Sequence, residues 1–162
     1  MNPAHIHLLI NHLPIIGSLF GLIVLAHGLW TKNSQTKIAS YNLFILSAIG
    51  AGIAYFTGEP AEELVENIAG VTGRAIEQHE DFAMSAMISF MLLGILSIFG
   101  LLITLKQSIF MRPVAIVILL VSLVSFVLVA RTGYLGGQIR HTEINGSAGT
   151  PIQGGENENE GD

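Results

Sequence analysis

Four long apolar runs separated by short polar connections dominate the pattern along this chain. They cover Leu8 to Trp30, Ile38 to Thr57, Phe82 to Leu105 and Val114 to Ala130, with Tyr134 and Leu135 extending the last. Each approaches the ~20 residues that cross about 30 Å of hydrocarbon at about 1.5 Å of rise per residue. The pattern therefore predicts an all-α integral membrane protein. Its four-transmembrane-helix bundle has spans over about 5–30, 37–58, 73–105 and 113–141 within a domain of residues 1–144. The first run has no preceding Lys or Arg and no small-residue cleavage pattern, so it is read as a structural helix and not as a signal peptide.

Punctuation refines these spans. Pro14 removes a backbone bond to the carbonyl near Ile10 and predicts a bend just beyond His12. Gly17 and Gly21 have the spacing that lets helices approach closely in a membrane. Gly58-Glu59-Pro60 predicts the end of the second helix, with Pro60 opening a new one. Ala61, Leu64, Val65 and Ile68 recur at helical intervals, so a short amphipathic helix is expected between helices 2 and 3, ended by Gly70. Thr72 is a candidate N-cap for the third span, and Pro113 a first residue for the fourth. Gly133, Gly136 and Gly137 make a break possible late in the fourth. Residues 145–162 are rich in Gly, Asn and Glu and read as a disordered acidic C-terminal tail.

Composition strengthens the membrane reading, with 51% hydrophobic and 12% charged residues and a mean hydropathy of +0.61. The lipid bilayer is the expected surrounding, and no nucleic-acid partner is expected. Charge gives sidedness: the first and third connections hold Lys32, Lys37, Lys106 and Arg112, whereas Arg74, Arg131 and Arg140 share the other side with all twelve carboxylates. The excess of Lys and Arg on short loops places those loops inside. Both termini are then periplasmic in a multi-pass protein of a bacterial inner (cytoplasmic) membrane. The absence of cysteine excludes disulfides, thioether-linked haem and thiolate metal sites.

Histidine is the remaining chemistry. His5, His7, His12, His79 and His141 come from three helices and all fall at the outer side, while His27 lies near the inner interface beside Trp30. An ionisable side chain at membrane depth points to a functional site, and two imidazoles from facing helices of a four-helix bundle can hold a haem iron axially. Arg131, Tyr134 and Arg140 stand near the same end as partners for propionates. Ranked by expected burial, the cofactor-binding candidates are His12, His79, His7, His141 and His5, with His12 and His79 as ligands of the iron of haem b. Height favours a different pair. His12 should lie about 12 Å below His79 along the bundle, so His7 matches His79 better. The alternatives are histidines that are merely interfacial, or a Zn or Cu site completed by Glu77, Glu80 or Asp81.

The segment His7-Leu-Leu-Ile-Asn-His12-Leu-Pro14-Ile15 resembles the opening motif, His-Pro-x-x-x-His-Phe-Pro-Ile, of a family of uncharacterised bacterial four-helix membrane proteins. The likeness extends to a histidine heading the third helix, His79, and to a Gly-Gly pair followed by a histidine after the fourth, Gly136, Gly137 and His141. Leu8 and Leu13 replace the proline and phenylalanine of the motif, and the gap between Gly137 and His141 is shorter. The resemblance implies the four-helix architecture and, by association, a place beside c-type haem proteins in respiration.

The expected function is a b-type haem-binding membrane protein that passes electrons near the outer face, within or beside a respiratory complex. It is more an electron-transfer or accessory subunit than a stand-alone enzyme. Its acidic outer surface would steer a basic partner such as a c-type cytochrome or another respiratory-chain subunit. The alternatives are a cofactor-free accessory or assembly subunit, and a metal-binding or proton-relaying membrane protein that uses the same histidines.

Overall fold

The computed structural model describes residues 3–62 and 73–140. Five helices appear in the order α1 (Pro3–Ile10), α2 (His12–Trp30), α3 (Ser34–Glu62), α4 (Gly73–Leu105) and α5 (Met111–Arg140), and the described residues contain no strand. The expected amphipathic segment, the acidic tail and His141 fall outside the described residues, apart from the helical backbone of Ala61 and Glu62.

Helices α1 and α2 form one rod interrupted by a turn at Asn11. The interruption comes one residue before His12 and not beyond it, because the Pro14 ring displaces the carbonyl four residues back, at Ile10. The second rod also departs from expectation. Instead of stopping at Gly58, α3 runs through Pro60 to Glu62. Within α3, Pro60 removes a single backbone bond, the one to the Phe56 carbonyl, and the helix carries on past it. The three glycines of α5 do not break it, and the helix continues to Arg140.

The rods pack in a ring, α2 against α3, α3 against α4, α4 against α5 and α5 against α2, while α1 lies on α3. The first rod is therefore diagonal to α4. Small residues set the approach. A Cβ at Gly21 would meet the Phe44 ring, at Gly17 it would collide with Ser47, and at Gly94 it would lie 2.8 Å from the Ala48 Cβ. The Gly17/Gly21 spacing thus does what its sequence suggested and seats α2 on α3.

Serines share the interior with an apolar core that includes Phe44, Phe90 and Leu93, while large hydrophobic side chains also cover the outside. Ser18, Ser40, Ser47, Ser97, Ser122 and Ser125 are fully buried, whereas Trp30, Phe56, Ile95 and Val124 face outward. Most of the buried hydroxyls are satisfied within their own helices, as where Ser40 donates to the Lys37 carbonyl at 2.7 Å and Ser122 to Leu119 at 2.8 Å. Four segments are long and apolar enough to cross a membrane: His5–Trp30, Ser34–Pro60, Gly73–Leu105 and Met111–Gln138.

Both short connections are built alike. Asn33 N–H donates to the Gly28 carbonyl at 3.1 Å and Ser108 N–H to Ile103 at 3.2 Å, closing the ends of α2 and α4. The residue before each donor is left-handed, Lys32 at φ 55° and Gln107 at φ 51°. Glycine ordinarily takes this position, and an L side chain there is disfavoured. Gln107→Gly is accordingly expected to stabilise the bundle by about 1 kcal/mol, read as a later midpoint in detergent-driven unfolding. A lowered midpoint would refute this.

Candidate functional site

At the end of the bundle opposite these loops, two imidazoles turn inward from diagonal rods. His7 of α1 is half-buried, and its Nδ1 lies 2.9 Å from the Ala54 carbonyl and 3.4 Å from Thr57 Oγ1 on α3. A carbonyl can only accept, so Nδ1 carries the proton, and in the neutral ring Nε2 is left with a free lone pair. The Thr57 hydroxyl donates back along its own helix to Ile53, at 2.9 Å.

His79 of α4 repeats the arrangement against α5. Its Nδ1 lies 3.1 Å from the Thr132 carbonyl, which again assigns the proton to Nδ1 and the lone pair to Nε2. A Cβ at Gly136 would stand 3.0 Å from His79 Cε1, whereas one at Gly58 would stand 3.7 Å from His7 Cε1. Only glycine at 136 leaves the His79 ring where it is.

The other candidates are placed differently. His12 was expected to be the buried ligand, yet it is exposed, with Nδ1 donating to the Leu8 carbonyl one turn back at 2.8 Å. Helical geometry explains the exchange. At about 100° per residue, five residues separate His7 and His12 by roughly 140°, so once His7 faces inward His12 faces out. His5 and His27 are also exposed. Arg131 packs its guanidinium over the rings of Phe82 and Tyr134, at 5.7 and 5.3 Å, and Gln138 donates to the Tyr134 hydroxyl at 2.9 Å. Arg131 and Tyr134, expected beside the propionates, are thus exposed on the outside of the bundle and packed against one another. The side chain of Arg140, like the whole of His141, lies outside the described residues.

The chain matches no family model, curated protein or solved structure. Its site must be read from its own residues.

One of those residues escaped the search for ligands along the sequence. Asn11 stands one turn from His7 on the same helix face, and its Oδ1 is buried with no hydrogen-bond partner among the described residues. A buried acceptor without a donor costs about 1–3 kcal/mol, so a donor from a bound molecule would be favoured there. The pairing His7-x-x-x-Asn11 was visible as a one-turn spacing, but attention to histidine alone passes over it.

The residues present fit a bis-imidazole site. Metal-bound histidines characteristically donate their second ring nitrogen to a carbonyl, which fixes the tautomer and orients the ring, and both His7 and His79 do this. A Zn or Cu site of three or more His, Asp or Glu side chains is not formed among the described residues. Glu77, Glu80 and Asp81 are exposed instead.

Proposed function

We propose that this is a multi-pass membrane protein that holds a b-type haem between His7 and His79 and passes electrons at the carboxylate-bearing end of the bundle. Supporting the membrane setting are the four long apolar helices and the outward-facing hydrophobic side chains around a serine-containing interior. One observation carries the cofactor reading: two imidazoles from diagonal rods, each anchored through Nδ1–H to a backbone carbonyl, each keep Nε2 free. Haem, when bound, supplies one-electron chemistry. The chain supplies the orientation of the two rings, the space at Gly58 and Gly136, and a low-dielectric surrounding.

Glu77, Glu80 and Asp81 are exposed at the head of α4, close in sequence to His79. They give that end an anionic rim suited to a basic soluble partner, such as a c-type cytochrome, or to a neighbouring respiratory subunit. In this reading the carboxylate end faces the periplasm of a bacterial inner membrane, in keeping with the Lys and Arg of the two short loops.

The decisive measurement is a reduced-minus-oxidised absorption spectrum of the purified full chain, with iron and zinc quantified in the same sample. Low-spin b-type bands with iron approaching one equivalent are expected. Protein expressed with ample haem that lacks those bands would refute the reading. The orphaned Asn11 Oδ1 favours a second one, in which His7 and His79 relay protons through a bound water or hydroxyl group that donates to Asn11. A metal-free, haem-free protein that transports protons in vesicles would establish that reading instead.

A further inference from the structure

The opposite end of the bundle holds a cleft of about 350 Å³ between the two short connections, lined by Lys32, Lys37 and Arg112 with Gln107, Ser108 and Ile109 among its other walls. Three cations meet there without a carboxylate, since every Asp and Glu of the chain falls at or after Glu59 and none is among the lining residues. Lys37 is the decisive member. It is only 5% exposed, and no ion pair to it exists among the described residues. With no carboxylate among the lining residues, a cation whose side chain is packed into this cleft favours an anion as its partner.

The backbone adds to the same field. Ser34 and Met111, the first residues of α3 and α5, both line the cleft, so two helix N-termini bring their positive ends to it. The opposing carbonyls at the ends of α2 and α4 are occupied by Thr31, Asn33, Lys106, Gln107 and Ser108 N–H groups. Gly28 keeps the space around Lys37, since a Cβ there would lie 3.1 Å from Lys37 Cγ.

The rim shows what kind of anion fits. Ile109 lines the cleft and is 87% exposed, and Trp30, Leu105 and Phe110 project nearby along the chain. Basic groups at the end of apolar helices, with large apolar side chains beside them, match a phosphate joined to acyl chains rather than a free ion. We infer that this cleft binds the phosphate headgroup of an anionic phospholipid, with Lys37 as its inner contact and Lys32 and Arg112 closing over it. The site is separate from the histidine pair and does not depend on what that pair holds.

Trp30 is the sole tryptophan and directly follows Leu29 of the cleft, so it can report occupancy. The full chain is reconstituted in phosphatidylcholine bilayers containing either brominated phosphatidylglycerol or brominated phosphatidylcholine, and quenching of Trp30 is compared at equal mole fraction. Phosphatidylglycerol is expected to be preferred on the order of five-fold or more, as one or more Lys or Arg contacts at a membrane surface provide. Lys32→Gln combined with Arg112→Gln, both at exposed positions, should bring the preference close to unity with helical circular dichroism unchanged. Equal quenching by the two lipids, or a preference that survives the double substitution in folded protein, would overturn the inference. So would loss of the preference on adding inorganic phosphate at an ionic strength matched with chloride, because the cleft would then be a site for the free ion.

Discussion

His7→Ala and His79→Ala are each expected to abolish the low-spin haem spectrum and to reduce haem retention by about 100-fold or more, since they remove a ligand and not merely its support. His12→Ala should leave spectrum and occupancy unchanged, because its ring is exposed and bonded to its own helix. Gly136→Val falls between these. Its Cβ would stand 3.0 Å from His79 Cε1, so the ring must turn away from Thr132, and the loss of orientation should cost about 10–100-fold in affinity. Haem spectra of the four purified variants check the assignment. If His12→Ala removed the spectrum while His7→Ala kept it, the site would have to be moved to the other face of α1 and α2.

The second large effect concerns the packing that brings the rods together. Gly94 of α4 sits against Ala48 of α3, with 2.8 Å between an added Cβ and the alanine Cβ. Both atoms are fixed to helix backbones, so neither can swing aside, and a larger side chain must separate the helices. Gly94→Val is expected to destabilise the bundle by about 1–3 kcal/mol, the usual range for overpacking. Close approach of small residues also supplies much of the association between helices in lipid, which puts the cost toward the upper part of that range. Gly52→Ala is the matched control, because a Cβ there meets only Met91 Cε at 3.8 Å. Unfolding both variants by sodium dodecyl sulfate in mixed micelles should give a clearly earlier midpoint for the first and little change for the second. Equal midpoints would show that this contact does not limit the approach of α3 and α4.

Much of the architecture could be read along the chain. The four apolar runs correspond to the four long segments, whereas the candidate N-cap Thr72 lies outside the described residues. Helix punctuation was less dependable. Gly58-Glu59-Pro60 reads as a stop, yet α3 continues through it to Glu62, because a proline inside a helix removes only one backbone hydrogen bond. The glycines of α5 read as a possible break, yet the helix runs on through them; Gly136 and Gly133 are packing positions, where an added Cβ would stand 3.0 Å from His79 Cε1 and from Ile15 Cδ1, while Gly137 has open space beside it. A glycine's freedom becomes a bend only when neighbouring helices do not hold it straight.

By itself the sequence determined that the chain forms long apolar helices joined by short connections, that His5, His7, His12 and His79 gather toward one end, and that four of its seven cations gather toward the other. These are properties of one-dimensional spacing, since helix length and chain direction alternate predictably when connections are short. Only the tertiary structure decided which histidines share an interior. Each residue advances a helix by about 100°, so the face turned inward depends on the rotation of the whole rod, and that is set by distant contacts such as Gly17 and Gly21 on α3. It likewise decided that Lys37 is buried in a cleft beside Arg112, because the two come from the first turns of different helices, α3 and α5, and meet only when the ring of helices closes.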